Sequence, residues 1–159
     1  MATNVFRRVL TFLAAMGLTL KDDRPRVIDM TGREWGDPVA GLALSIREAK
    51  KEDPQQLPVL SVVLRNTGSE RKVLTIPGWL FFYEIEISAS PTAYGRELLK
   101  PERRTEKLDI ALGPGDATEA DLPIGLLYEM RAPGTYRVGV SCHLPDGLTL
   151  RSNEIDIAH

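Results

Sequence analysis

The sequence predicts an all-β domain built from short antiparallel strands, and three observations carry that prediction. From Gly41 onward apolar residues recur at every second position rather than every 3.6. Turn signals made of Gly, Pro, Asn and Asp break the pattern every 8–12 residues or so. No stretch in this region carries an amphipathic helical stripe. Strands with one apolar face cannot hide it in a single sheet, whereas two sheets packed face to face hide both.

The elements follow in order. Leu42, Leu44 and Ile46 alternate with Ala43, Ser45 and Arg47, which predicts a half-buried strand. A polar connection over residues 48–56, containing Pro54, leads to a second strand over 58–66, with Leu60, Val62 and Leu64 facing one way. Asn66-Thr67-Gly68-Ser69 is a turn in which Gly68 is expected to supply positive φ and Asn66 to bond its own backbone. A third strand spans 71–76 and stops at Pro77-Gly78, and a fourth spans 80–88 with Phe81, Tyr83, Ile85 and Ile87 on one face. Residues 105–112 follow, ended by Gly113-Pro114-Gly115, and then 116–122 with Ala120 and Leu122 inward. Residues 135–144 put Tyr136, Val138, Val140 and Cys142 in phase. Pro145-Asp146-Gly147 is a hairpin turn, and 149–158 closes the domain with Ile155 and Ile157 inward. The fold class is accordingly an antiparallel immunoglobulin-like β-sandwich of seven or eight strands. Tyr136, just after Pro133-Gly134, is placed either for a tyrosine-corner hydroxyl bond or as a plain inward aromatic.

Composition bounds the rest. The chain has 159 residues, 43% hydrophobic and 26% charged, which fits one globular domain of ordinary size. Twenty Lys and Arg against 22 Asp and Glu give a net charge of −2, which supplies no drive toward nucleic acid. One cysteine excludes an internal disulfide and a Cys-rich zinc site. Residues 1–20 stand apart: Arg7-Arg8 precede an uncharged, mostly apolar run over 9–20. Twelve such residues are too few to span a bilayer, so no stable transmembrane span is expected. They read as the apolar part of a secretory signal, or as an N-terminal amphipathic helix lying on the domain. Export to the periplasm or cell envelope is the expectation. Residues 21–40, with Pro25, Gly32, Gly36 and Pro38, read as a linker, and 41–159 as the sandwich domain. Trp35 reads as a lid on the core edge.

Several of these motifs occur in a familiar order. Trp35-Gly36, Pro38-Val39 and Gly41-Leu42 precede the first strand, and Leu64-Arg65-Asn66-Thr67 forms the first turn. Tyr94-Gly95-Arg96, Leu112-Gly113-Pro114-Gly115-Asp116, Leu127-Tyr128, Pro133-Gly134-Thr135-Tyr136-Arg137-Val138 and Ser152-Asn153 follow. Over about residues 35–157 this order resembles a group of bacterial proteins, frequent in planctomycete-like genomes, that carry an exported immunoglobulin-like sandwich. It is more distantly similar to the bacterial intracellular proteinase inhibitor domain. Both resemblances imply the fold; neither brings a catalytic motif.

The residues themselves supply little reactive chemistry. Cys142 and His143 are adjacent on a strand, so their side chains leave opposite faces and cannot form a nucleophile–base pair. His143 adjoins the cysteine and His159 ends the chain, which is no blue-copper spacing. Asp116, Glu119 and Asp121 suit calcium by type, but Asp116 is out of phase with the other two, and a solvated edge is the better reading. Glu84 and Glu86 share a strand face as any solvent-facing sheet does. No catalytic residue, metal site or cofactor is therefore expected.

What remains is binding. Residues 79–83 hold four of the ten aromatics; with Phe81 and Tyr83 inward, Trp79 and Phe82 are left for the outer face, unless the segment around Trp35 covers them. The sixteen residues 89–104 form a long irregular loop with Tyr94-Gly95 as a fixed point. The candidate contact residues are Trp79, Phe82, Tyr94, Gly95 and Arg96, and the expected partner is a protein or envelope component. Loops 66–71 and 145–147 are further candidates. A non-catalytic binding module is the first functional expectation, a proteinase inhibitor acting through an exposed loop the second, and a hydrolase the third.

Overall fold

Alternation along the chain is realised as strands, and among the described residues every strand pairing is antiparallel. The computed structural model describes residues 27–76, 82–88, 107–128 and 134–158. Among them the chain forms β1 (Leu42–Glu48), β2 (Leu60–Asn66), β3 (Lys72–Ile76), β4 (Tyr83–Ile87), β5 (Leu108–Leu112), β6 (Ala117–Leu122), one helical turn α1 (Ile124–Leu127), β7 (Thr135–His143), β8 (Thr149–Arg151) and β9 (Ile155–Ala158). β1, β2 and β6 form one sheet and β3 and β5 a second. In the third, β7 pairs with β4 on one side and with β8 and β9 in succession on the other.

One apolar cluster draws on all three sheets. Leu44, Val62 and Leu64 come from the first, Leu74 and Ile110 from the second, and Tyr136, Val138 and Leu150 from the third. Burying a large aliphatic side chain contributes roughly 1.5–3 kcal/mol, so this shared cluster is the main source of cohesion. In β7 the predicted phase holds: Tyr136, Val138, Val140 and Cys142 are all buried.

Two strand predictions are refined. The stretch 149–158 is two strands, not one, because residues 152–154 leave the ladder. There the Ser152 hydroxyl accepts from the Val140 amide at 2.9 Å while the Ser152 amide donates to the Val140 carbonyl at 2.8 Å. The break frees Asn153. Its amide reaches β1, accepting from the Ile46 amide at 2.8 Å and donating to the Ile46 carbonyl at 3.1 Å. A side chain thus takes the place of a neighbouring strand on the free edge of β1.

The second refinement concerns β1 and β2, which are buried on both faces rather than one. Residues 27–41 lie across the outer face of this sheet, although their composition reads as a linker. Small side chains on that face make the approach feasible: Ala43, Ser45, Ser61 and Val63 are all buried. The Gly36 amide donates to the Leu44 carbonyl at 3.0 Å, and the Ser45 hydroxyl donates to the Glu34 carbonyl at 2.6 Å. Gly36 is packed so tightly that a Cβ there would fall 1.9 Å from the Arg151 carbonyl oxygen. Trp35 stacks by Arg65, with the guanidinium carbon 6.0 Å from the ring centroid. Val39 and Leu42 exchange both backbone bonds across Ala40-Gly41, a two-residue hairpin in which both central residues have positive φ.

The segment also inserts a charge. The Arg33 side chain is 0% exposed and donates through Nη2 to the Ser61 hydroxyl at 2.7 Å and to Glu119 Oε1 at 3.2 Å, and through Nε to the Asp29 carbonyl at 3.0 Å. The Ser61 hydroxyl also donates to Glu119 Oε1. Arg33 Nη1 meets no acceptor. Burial lowers the Arg33 pKa, and the neighbouring Arg47 charge acts in the same direction. A buried guanidinium depends on its counter-charge more than the counter-charge depends on it, because Glu119 keeps some contact with water. Glu119→Leu is therefore expected to cost about 3–5 kcal/mol in urea denaturation. Arg33→Leu, which removes the buried charge itself, is expected to cost clearly less; equal losses would contradict this account.

Candidate binding surface

The best-defined surface among the described residues is built where β1, β3 and β6 begin and β2 and β5 end. Its centre is Asn66, which is fully buried. The side-chain oxygen accepts from the Gly68 amide at 2.9 Å, closing the turn at Asn66; the positive φ expected of Gly68 is not found, because this side-chain bond closes the turn without it. The side-chain nitrogen donates to the Glu70 carbonyl at 2.7 Å and to the Leu112 carbonyl at 3.0 Å. The Asn66 backbone accepts from the Gly115 amide at 2.9 Å and donates to the Asp116 carbonyl at 2.9 Å. The Thr67 and Gly68 amides then donate to the Gly41 carbonyl at 2.8 and 3.3 Å.

Three turns are thereby tied into one base: 40–41, 67–71 and 113–116. The last is a type II turn by chemistry, with Pro114 followed by Gly115 at φ +81, and the Asp116 amide donates to the Gly113 carbonyl at 3.0 Å. Asp116 Oδ2 in turn accepts from the Gly113 amide at 2.8 Å. The rim formed by Thr67, Ser69, Glu70, Arg71, Pro114 and Asp116 is exposed. A mixed-charge rim on a fixed base is suited to polar contacts made without a large ordering cost.

The sequence-predicted contact residues are distributed differently. Phe82 is 8% exposed and packs on Tyr83, with ring centroids 5.0 Å apart, so it contributes to the core rather than to an outer aromatic pair. The physical reason is its place just before β4, which starts at Tyr83, so the alternation of the strand does not yet set its direction. The segment around Trp35 is not what covers it, because Trp35 sits by Arg65 on the other sheet. Trp79, Tyr94, Gly95 and Arg96 lie outside the described residues. The 145–147 turn forms as predicted: Gly147 has φ +81, its amide donates to the Leu144 carbonyl at 3.0 Å, and the Leu148 amide donates to Asp146 Oδ1 at 3.1 Å.

The groups weighed for chemistry are engaged in structural pairs. Cys142 is buried, whereas His143 is exposed on the opposite face, 3.4 Å from Glu84 and 3.2 Å from the Thr149 hydroxyl. Glu86 pairs with Arg151 at 2.9 Å. Glu119 serves Arg33, and Asp116 serves its own turn. Among the described residues no group of three or more His, Cys, Asp or Glu is arranged to hold a metal ion, and no helix is long and apolar enough to cross a membrane. No family model matches the chain, and no curated protein matches it.

Asn66→Ala would remove the side-chain partner of the Glu70 and Leu112 carbonyls and leave the Gly68 amide only its 3.3 Å bond to the Gly41 carbonyl. A loss of about 2–4 kcal/mol is expected in chemical denaturation, with faster amide exchange in residues 67–70 and 113–116. A second expectation concerns pH. Burial pushes the Cys142 thiol from 9.0 up to about 12, and burial also raises the neighbouring Tyr83 phenol. Above about pH 9 the unfolded chain releases a thiol proton that the folded chain retains, so this stability is present below pH 9 and is lost toward pH 12. Urea midpoints should fall over that window, and Cys142→Val should flatten the fall. An unchanged slope in the variant would remove the thiol as its cause.

Proposed function

We propose that this chain is a non-catalytic binding module whose contacts are made by turns at the end of an immunoglobulin-like sandwich. The observation that carries the reading is the Asn66 junction, which fixes three exposed turns on one hydrogen-bonded base. The antiparallel sheets sharing one core are the coarse basis for the sandwich. The separation of Cys142 from His143 on opposite faces favours binding over nucleophilic catalysis. Export to the cell envelope belongs to the same proposal and rests on residues 1–20 of the sequence. The partner class that goes with it is a protein or another envelope component.

A second reading, proteinase inhibition, is favoured by the same fixed turn. An inhibitory loop must be held from beneath so that it enters a protease cleft without ordering cost, and Thr67, Ser69, Glu70 and Arg71 are exposed on a turn held in that way.

The test uses the immobilised full chain and a solubilised envelope fraction. Ser69→Arg combined with Glu70→Arg should weaken retention of the captured component at least about tenfold without moving the melting temperature. Gln55→Arg, on the connection between β1 and β2 at the other end of those strands, should leave retention intact. The reverse pattern would overturn the assignment of the surface. Stoichiometric titration of a panel of bacterial serine proteases decides the inhibitor reading, which fails if every enzyme keeps full activity.

A further inference from the structure

We propose that a second copy of this chain is a partner, with residues 27–39 of each copy docking across the β1–β2–β6 sheet of the other. The segment already fits that face. Its Arg33 meets Ser61 and Glu119, its Trp35 meets Arg65, its Gly36 amide meets the Leu44 carbonyl, and Asp29 pairs with Arg47 at 3.4 Å. Each of these receiving groups is present identically on a second copy.

The link between segment and sheet is the short hairpin at Ala40-Gly41. Ala40 has φ 51, the left-handed region that a residue with a Cβ adopts at a cost. Gly41, at φ +76, adopts it freely. Opening the hairpin into an extended hinge relieves Ala40 and gives up the two Val39–Leu42 backbone bonds to water. A segment so released cannot stay undocked. Its departure would uncover Ala43 and Val63, and would leave the Glu119 carboxylate and the Arg33 guanidinium apart. Docking on a second copy restores those contacts without inventing new ones, which is the condition under which exchange between protomers is inexpensive. Short hinges under strain are where such exchange starts. In the closed chain and the exchanged dimer the same interface is made. The balance between them is therefore set by the hinge conformation and by concentration.

Ala40→Pro isolates the hinge. Proline fixes φ near −65°, which the closed hairpin does not allow and an extended hinge does. The Ala40 amide makes no backbone hydrogen bond among those of the turn, so its loss adds nothing else. Light scattering on the eluting full chain should give twice the 17.6 kDa monomer mass for Ala40→Pro, with the dimer fraction rising with concentration. Ala40→Gly, which relaxes the closed form, should remain at the monomer mass.

A charge exchange tests which surfaces meet. Arg33→Glu sets two carboxylates together within its own chain, and Glu119→Arg sets two guanidinium groups together. Equimolar co-refolding of the two variants should yield a heterodimer, in which opposite charges face each other between chains. It should melt above either variant alone. A mixture that contains no heterodimer, or that melts as the superposition of its components, overturns the proposal, as does a folded Ala40→Pro chain that stays monomeric at every concentration. Should Ala40→Pro fail to refold, the charge-exchange mixture decides alone.

Discussion

A backbone amide or carbonyl that leaves water has to find a partner, and three small sheets meeting around one core create many such groups at their ends and edges. Two asparagine side chains satisfy this constraint. Asn66 ties the end of β2 to the carbonyl that ends β5 and to the turn that leads into β3. Asn153 pairs with both backbone groups of Ile46 on the free edge of β1, and so joins the β7 sheet to the β1 sheet. A primary amide suits both places because it offers a donor and an acceptor side by side, as a peptide group does. Apolar burial supplies the bulk of the cohesion, while these two amides fix how the sheets meet.

The same constraint explains why residues 27–41 pack rather than wander. The free edge of β1 presents the backbone groups of Leu42, Leu44 and Ile46. Val39 takes the first, Gly36 the second and Asn153 the third. Once the segment is drawn in, Arg33 is carried out of water and needs Glu119 and Ser61. A buried ion pair of this kind adds little net stability over an apolar substitute, but it makes the register of the segment specific.

These arrangements shape what the molecule is suited to do. Side chains with chemical potential are used to hold the fold: the thiol of Cys142 fills the core, Glu86 and Arg151 neutralise each other, and Asp116 closes its own turn. Among the exposed groups, Thr67, Ser69, Glu70 and Arg71 sit on a turn whose base is fixed from below. Rigid turns on a sheet scaffold favour recognition, since the ordering cost of the loop is met during folding rather than during binding.

Local signals in the chain were sufficient to locate most of the strands. The period of two in β6 and β7, the Pro-Gly turn before Asp116, the hairpin turn at 145–147 and the Asn66 side-chain bond within its own turn were legible, because each depends on neighbours within a few residues, whereas the positive φ expected of Gly68 is not found. The covered outer face of β1 and β2, the break at 152–154 and the burial of Phe82 were not legible. Arg33 carried no signal beyond a charged residue in a turn-rich stretch, since its partner Glu119 lies 86 positions later. Most of the predicted contact set, Trp79, Tyr94, Gly95 and Arg96, lies outside the described residues, and its fifth member, Phe82, belongs to the core. The amino-acid order by itself determined that this is an all-β chain and where most of its turns fall, because pleat and turn chemistry act over short distances. Which polar groups became structural, which turns came to share one base, and which segment closes the edge of β1 were decided only when strands far apart in the chain were brought side by side.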